Sequence, residues 1–170
     1  MIHKWIGALL IIAGCGGAGF SMAYRQMKRE RTLEQLEQVL THMECELKYR
    51  LTPLPDLCVM ASQCVDGTLK LVLKEFSREL ERMVLPDAYS CMQSVLNKTG
   101  VSDRDIRELL METGRSLGRY DLEGQLKGIG HIKERCSIRL EEVRARKAEQ
   151  IRCYRVLGLS AGAAMVILMV

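Results

Sequence analysis

Seven cysteines, three histidines and 21 acidic residues are the side chains of this 170-residue chain best suited to redox, metal or acid–base chemistry. Their spacing supports none of it. Cys58 and Cys64 are six apart, which puts them on different sides of a helix, and no Cys-x-x-Cys occurs. His42 and Glu46 are four apart and share a helical face. Two ligands are too few for a structural metal site, so an exposed polar pair is the reading. His3, His42 and His131 have no nucleophile or acid at an informative spacing. There is no phosphate-binding loop and no Gly-x-Gly-x-x-Gly after a strand. Cys45, Cys58, Cys91 and Cys136 lie on or beside apolar helix faces and read as buried, reduced thiols. The chain is therefore expected to be no enzyme, to need no cofactor or metal, and to act by contact.

Composition sets the frame in which such contacts arise. Hydrophobic residues make up 48%, charged residues 27% and aromatic residues only 5%, with three prolines. That balance excludes a disordered tail and favours helices over an aromatic-rich sandwich. The charges are unevenly placed. Residues 1–24 contain only Lys4, and residues 156–170 contain none, so the net charge of +4 belongs almost wholly to Arg25–Arg155. There the basic and acidic residues are mixed nearly one for one, which argues against nucleic acid as a partner.

The two ends read as membrane spans. Trp5–Tyr24 is free of charge and, as a helix, would be about 30 Å long, the thickness of a bilayer core. Trp5 and Tyr24 mark its edges, where amphipathic rings prefer the interface. Val156–Val170 is shorter, but Arg152 and Arg155 can snorkel at its near edge. Domain boundaries follow: 1–24 an N-terminal transmembrane segment, 25–155 a cytoplasmic helical bundle, 156–170 a C-terminal transmembrane segment. Arg25, Lys28, Arg29 and Arg31 follow the first span, and Arg144, Arg146, Lys147, Arg152 and Arg155 precede the second. Positive flanks stay in the cytoplasm, which places both termini outside. A second reading competes. Ile12-Ala13-Gly14-Cys15 resembles a lipoprotein signal, which would make the chain an exported lipoprotein acylated at Cys15 with a helical interaction domain. The apolar run past Cys15, the basic residues beyond it and an odd number of cysteines oppose that reading.

Between the ends the periodicity is helical throughout. Leu33, Leu36, Leu40, Met43 and Leu47 form a heptad seam in a first helix that ends near Tyr49. Thr52 is expected to cap a second helix with Pro53 at its first position, carrying Leu54, Leu57, Cys58 and Ala61 and ending at Asp66-Gly67. The third uses Leu69, Val72, Leu73, Phe76, Leu80 and Met83. The fourth uses Cys91, Met92 and Val95 and stops at Asn97–Gly100. Ser102 is expected to cap the fifth, with Ile106, Leu109, Leu110, Thr113 and Leu117 inward and Gly118 as its stop. Asp121 caps a long sixth helix with Leu122, Leu126, Ile129, Cys136, Leu140 and Val143 in frame and Lys133 interrupting it. The expected fold is all-α: a cytoplasmic six-helix bundle between an N-terminal and a C-terminal transmembrane helix, with the first and sixth helices antiparallel.

Two stretches carry a resemblance. Met43-Glu44-Cys45-Glu46-Leu47 leads through Tyr49 to Thr52-Pro53-Leu54, and Gly114-x-x-Leu117-Gly118-x-x-Asp121-x-x-x-Gln125-x-Lys127 follows later. Together, at this length and with an apolar segment at each end, they resemble the stage III sporulation protein AB family of endospore-forming bacteria. Arg50 departs from it, standing where a small residue is expected before the Thr-Pro turn.

The resemblance implies a place in a multi-protein sporulation channel joining mother cell and forespore, in the mother-cell membrane around the forespore. The centre is similar to the cytoplasmic domain of type II secretion F proteins, which are membrane platforms that contact a cytoplasmic secretion-type ATPase. By that analogy the implied partners are such an ATPase, other sporulation channel membrane proteins and the membrane itself. Candidate contact residues are Glu44, Glu46, Arg50, Thr52, Pro53, Gly118, Arg119, Asp121 and Gln125. Glu44 and Glu46 are two apart and must point to different faces.

Overall fold

A computed structural model of the chain describes the backbone of residues 2–117 and 121–169 and the side chains of residues 26–117 and 121–147. Over those residues it is all-α, with six helices: α1 (Ile2–Arg50), α2 (Leu54–Gln63), α3 (Gly67–Arg82), α4 (Ala88–Thr99), α5 (Arg104–Ser116) and α6 (Leu122–Met169). Two compact units divide it: one of residues 1–30 with 142–170, the other of residues 31–141. Both stretches read as spans lie outside the residues whose side chains are described. Among the described residues no helix is long and apolar enough to cross a membrane.

In the unit of residues 31–141 the core draws on all six helices. Leu33, Leu36, Leu40, Met43 and Leu47 of α1 are buried along the expected seam, and Ile129, Ile132, Cys136 and Leu140 form the matching stripe of α6. The two helices run antiparallel here, because Leu33 meets Cys136 while Glu44, further along α1, meets Lys133. Lys133 is not in the stripe: Ile132 takes the buried position, and Lys133 turns to Glu44 with Nζ 2.6 Å from Oε2. A heptad frame drifts by about 20° per repeat against a straight 3.6-residue helix, enough to exchange neighbouring positions. The shorter helices add Leu57, Cys58 and Ala61, then Leu69, Val72, Leu73 and Phe76, then Cys91, Met92, Val95 and Leu96, then Ile106, Leu109 and Leu110.

Helix ends correct the sequence reading in four places. Thr52 does not cap α2. Its hydroxyl reaches back to Glu46, and Pro53 occupies the cap, its carbonyl accepting the first helical bond from Leu57 at 2.9 Å. Asp66-Gly67 does not end α2, which stops at Gln63; it opens α3 instead, with Gly67 at φ +66°. Met83 is not on the apolar face of α3. It is the C-terminal cap, in the left-handed region at φ +50°, so its side chain has left the helical spiral and is 87% exposed. Asp103, not Ser102, caps α5, its carboxylate accepting from the amides of Asp105 and Ile106. A carboxylate one residue closer to the first turn outcompetes the serine, whose hydroxyl donates to the Gly100 carbonyl. Asp121 caps α6 as expected, accepting from the Gly124 amide at 3.0 Å.

The cysteines divide similarly. Cys58, Cys91 and Cys136 are buried, and burial pushes the Cys58 and Cys136 thiols up to about 12, which leaves both inert at neutral pH. Cys45 is exposed, contrary to expectation. It stands two residues past the buried Met43, about 200° around the helix from the seam.

Candidate contact surface at one end of the bundle

Three chain segments meet where α1 ends, α2 begins and α6 begins. Leu47, Leu51, Thr52 and Leu54 come from the first two, Leu122 and Gln125 from the third, and together they line a pocket of about 270 Å³. The lining is mostly leucine, with Thr52 and Gln125 as its polar residues. Motif residues separated by some 70 positions in sequence thus share one cavity.

A small polar network fixes the turn. The Glu46 side chain is 11% exposed; its Oε2 accepts from the Thr52 hydroxyl at 3.1 Å, and its Oε1 lies 3.5 Å from the Arg50 guanidinium. Arg50 itself is largely exposed. Between them the backbone turns sharply at Leu51, a non-glycine residue in the left-handed region at φ +53°. Such a conformation costs about 1–2 kcal/mol for a residue with a Cβ and persists only where neighbours hold it. The strain falls one position after Arg50, where the resemblance led us to expect a small residue.

The other candidates separate. Glu44 belongs to the seam, paired with Lys133, so the two glutamates face different ways as their spacing requires. Pro53 is exposed beside the pocket. Asp121 is exposed and engaged in capping. Gly118 and Arg119 lie outside the described residues.

What sequence reasoning missed is apolar. Tyr49 is 76% exposed and Leu51 66%, and Leu122 is also exposed. The α3–α4 turn adds Met83 and Val84, the latter 77% exposed. Packing relations put that turn toward the same end. Ser116, the last residue of α5, lies against Gly128 near the start of α6: a Cβ built on Gly128 would be 2.8 Å from the Ser116 Cβ. Gly114, just before it, packs on Ala88 and Met92 at the start of α4. An exposed leucine alone needs no explanation; several large apolar side chains at one end of a bundle do. No group of three or more metal-ligating side chains occurs among the described residues.

Comparison with known proteins agrees with this architecture. The sequence model of stage III sporulation protein AB matches residues 4–170. Stage III sporulation protein AB of Bacillus subtilis (strain 168) is 26% identical over 175 residues, covering 98% of each chain. A solved structure of Stage III sporulation protein AB (SpoIIIAB) has a TM-score of 0.65 at 22% identity, covering 72% of this chain and 98% of that one, a likeness of fold. A match across nearly the whole chain, with motif residues that converge on one cavity, means that the chain belongs to the stage III sporulation protein AB family, a sporulation family and not a known enzyme family.

Proposed function

We propose that the chain is a membrane-anchored platform subunit of the sporulation channel complex joining mother cell and forespore. It works by contact with a cytoplasmic secretion-type ATPase and with other channel membrane proteins. The anchors are the apolar stretches at 5–24 and 156–170, and the helical backbone of α1 and α6 runs through both. Flanking basic residues orient the unit of residues 31–141 to the cytoplasm.

The observation that carries the reading is the pocket end. Two motifs distant in sequence meet there, and Leu51 and Leu122, which line the cavity, are exposed. Interface cores favour this combination of an apolar anchor site with a few polar groups at its edge. On this reading the end where α1 stops and α6 starts is the part of the chain that a cytoplasmic ATPase contacts.

The test is co-purification from sporulating membranes. Leu51→Arg replaces an exposed residue and is expected to abolish recovery of the ATPase while the protein stays at wild-type abundance. Charge reversal at Arg50 and Arg119 should weaken recovery less. Undiminished recovery with Leu51→Arg would move the contact to a lateral face.

A further inference from the structure

The division of the molecule into two units also divides its charge. The unit of residues 1–30 and 142–170 holds nine basic and three acidic residues, a net +6; the unit of residues 31–141 holds 16 basic and 18 acidic, a net −2. In the first unit the excess is local. Apart from Lys4, every basic residue lies within 25–29 or 144–155, beside the two apolar stretches. At 1.5 Å per helical residue, each group lies within about 18 Å of the last apolar position.

The acidic residues of that unit are Glu30, Glu142 and Glu149. Glu30 is committed internally. Lys147 Nζ lies 2.8 Å from its Oε2 and Arg144 Nε 3.6 Å from its Oε1, so one carboxylate of α1 draws two cations of α6 toward it. The hydrogen bond from Lys147 holds the Glu30 carboxyl below its ordinary range, and it stays charged at neutral pH. This clamp ties α1 to α6 within a unit whose basic residues outnumber its acidic ones three to one. Lys28, Arg144 and Arg146 are exposed.

We infer that this collar binds the headgroups of anionic phospholipids and draws them around the helix pair in preference to zwitterionic ones. The inference rests on the membrane anchoring proposed above. A cluster of four or more Lys and Arg next to a span attracts acidic headgroups, and the attraction fades within a Debye length, about 8–10 Å at physiological salt. The unit of residues 31–141, with its net negative charge, offers the same lipids no such attraction.

The full chain is reconstituted in nanodiscs of mixed phosphatidylglycerol and phosphatidylethanolamine, and the lipids it retains are counted by native mass spectrometry. Retention is expected to favour phosphatidylglycerol several-fold over its share of the bilayer, and to fall toward that share in high salt. The triple variant Lys28→Gln, Arg146→Gln and Arg152→Gln should lose most of the preference while keeping its helical signal. Insertion without any lipid preference, or a preference the triple variant retains, overturns the collar and leaves the anchoring intact. Recovery of the chain outside the discs overturns the anchoring and the collar with it.

Discussion

Leu40 and Leu51 are eleven residues apart and meet opposite fates. Leu40 is fully buried in the α1–α6 seam, and Leu51 is 66% exposed on a strained backbone at the pocket end. The seam does what apolar residues ordinarily do: burying each leucine contributes about 1.5–3 kcal/mol. At the pocket end, Leu51, Tyr49, Met83 and Val84 forgo most of that stabilisation. Their gathering at one end of an otherwise well-packed bundle is what the proposed contact draws on.

The seam is where the largest effect is expected. Leu40→Asp places a carboxylate among Leu36, Met43 and the α6 stripe. Burying an unpaired charge costs at least several kcal/mol, comparable to a small domain's whole stability of roughly 5–15 kcal/mol. The full chain in detergent should lose its cooperative melting transition, and an unchanged melting temperature would contradict the seam.

Steric effects come next. A Cβ on Gly114 would lie 2.7 Å from the Met92 Cβ and 3.2 Å from the Ala88 carbonyl oxygen, whereas one on Gly130 meets nothing within 4 Å. Gly114→Val should cost about 1–3 kcal/mol by overpacking. Gly130→Ala should gain up to about 1 kcal/mol from helix propensity. Thermal melting of the two variants should move in opposite directions. Gly114, a motif residue, is thus explained by helix approach.

The flank of α6 that faces α5 is ionic. Arg135 bonds both Glu108 and Glu112 of α5, and Arg139 lies 3.9 Å from Asp105. Partly exposed pairs of this kind are worth about 1 kcal/mol or less each. Arg135→Met should therefore destabilise modestly, with a deficit that shrinks in high salt, while any deficit from a seam substitution does not. Glu79 offers a pH counterpart. The hydrogen bond from Lys98, at 2.6 Å, holds its carboxyl below the ordinary value of 4.5, with Arg82 adding to the effect. A depressed carboxyl stabilises the fold above its unfolded value and loses that contribution as pH falls through the folded one. Glu79→Gln should flatten stability against pH below about 4.5 and leave its slope near neutrality unchanged.

These contrasts mark what a sequence can disclose. The seam was legible because burial repeats at helical spacing within one segment, and Leu33 to Leu47 needed no knowledge of their partner. The ionic contacts of α6 were not, since Arg135 and Glu108 are 27 residues apart and nothing local joins them. Lys133 stood out as an interruption, but its pairing with Glu44 required the antiparallel register. Caps were misplaced by a single residue: at Ser102 two adjacent side chains could each serve, whereas at Thr52 the hydroxyl turned to Glu46 and the cap position fell to Pro53, whose side chain bonds nothing. Of the pocket end, Thr52, Pro53 and Gln125 were found through motifs. Leu51 was not: it follows Leu47 by four, so periodicity makes it interior, yet the helix ends at Arg50 before it can turn inward.

Leu51 therefore permits the finest test of the contrast between seam and end. Glycine there relieves a left-handed strain of about 1–2 kcal/mol, offset by its greater freedom in the unfolded chain, about 0.5–1 kcal/mol. Little burial is lost, because the side chain is mostly exposed. Leu51→Gly should then raise stability slightly, by at most about 1 kcal/mol. It also removes a wall of the pocket, so recovery of the ATPase from sporulating membranes should fall. A substitution that stabilises the fold and weakens the contact is the signature of a residue kept for its partner. If stability and contact fall together, Leu51 is an ordinary packing residue, and the exposed apolar end loses its strongest member.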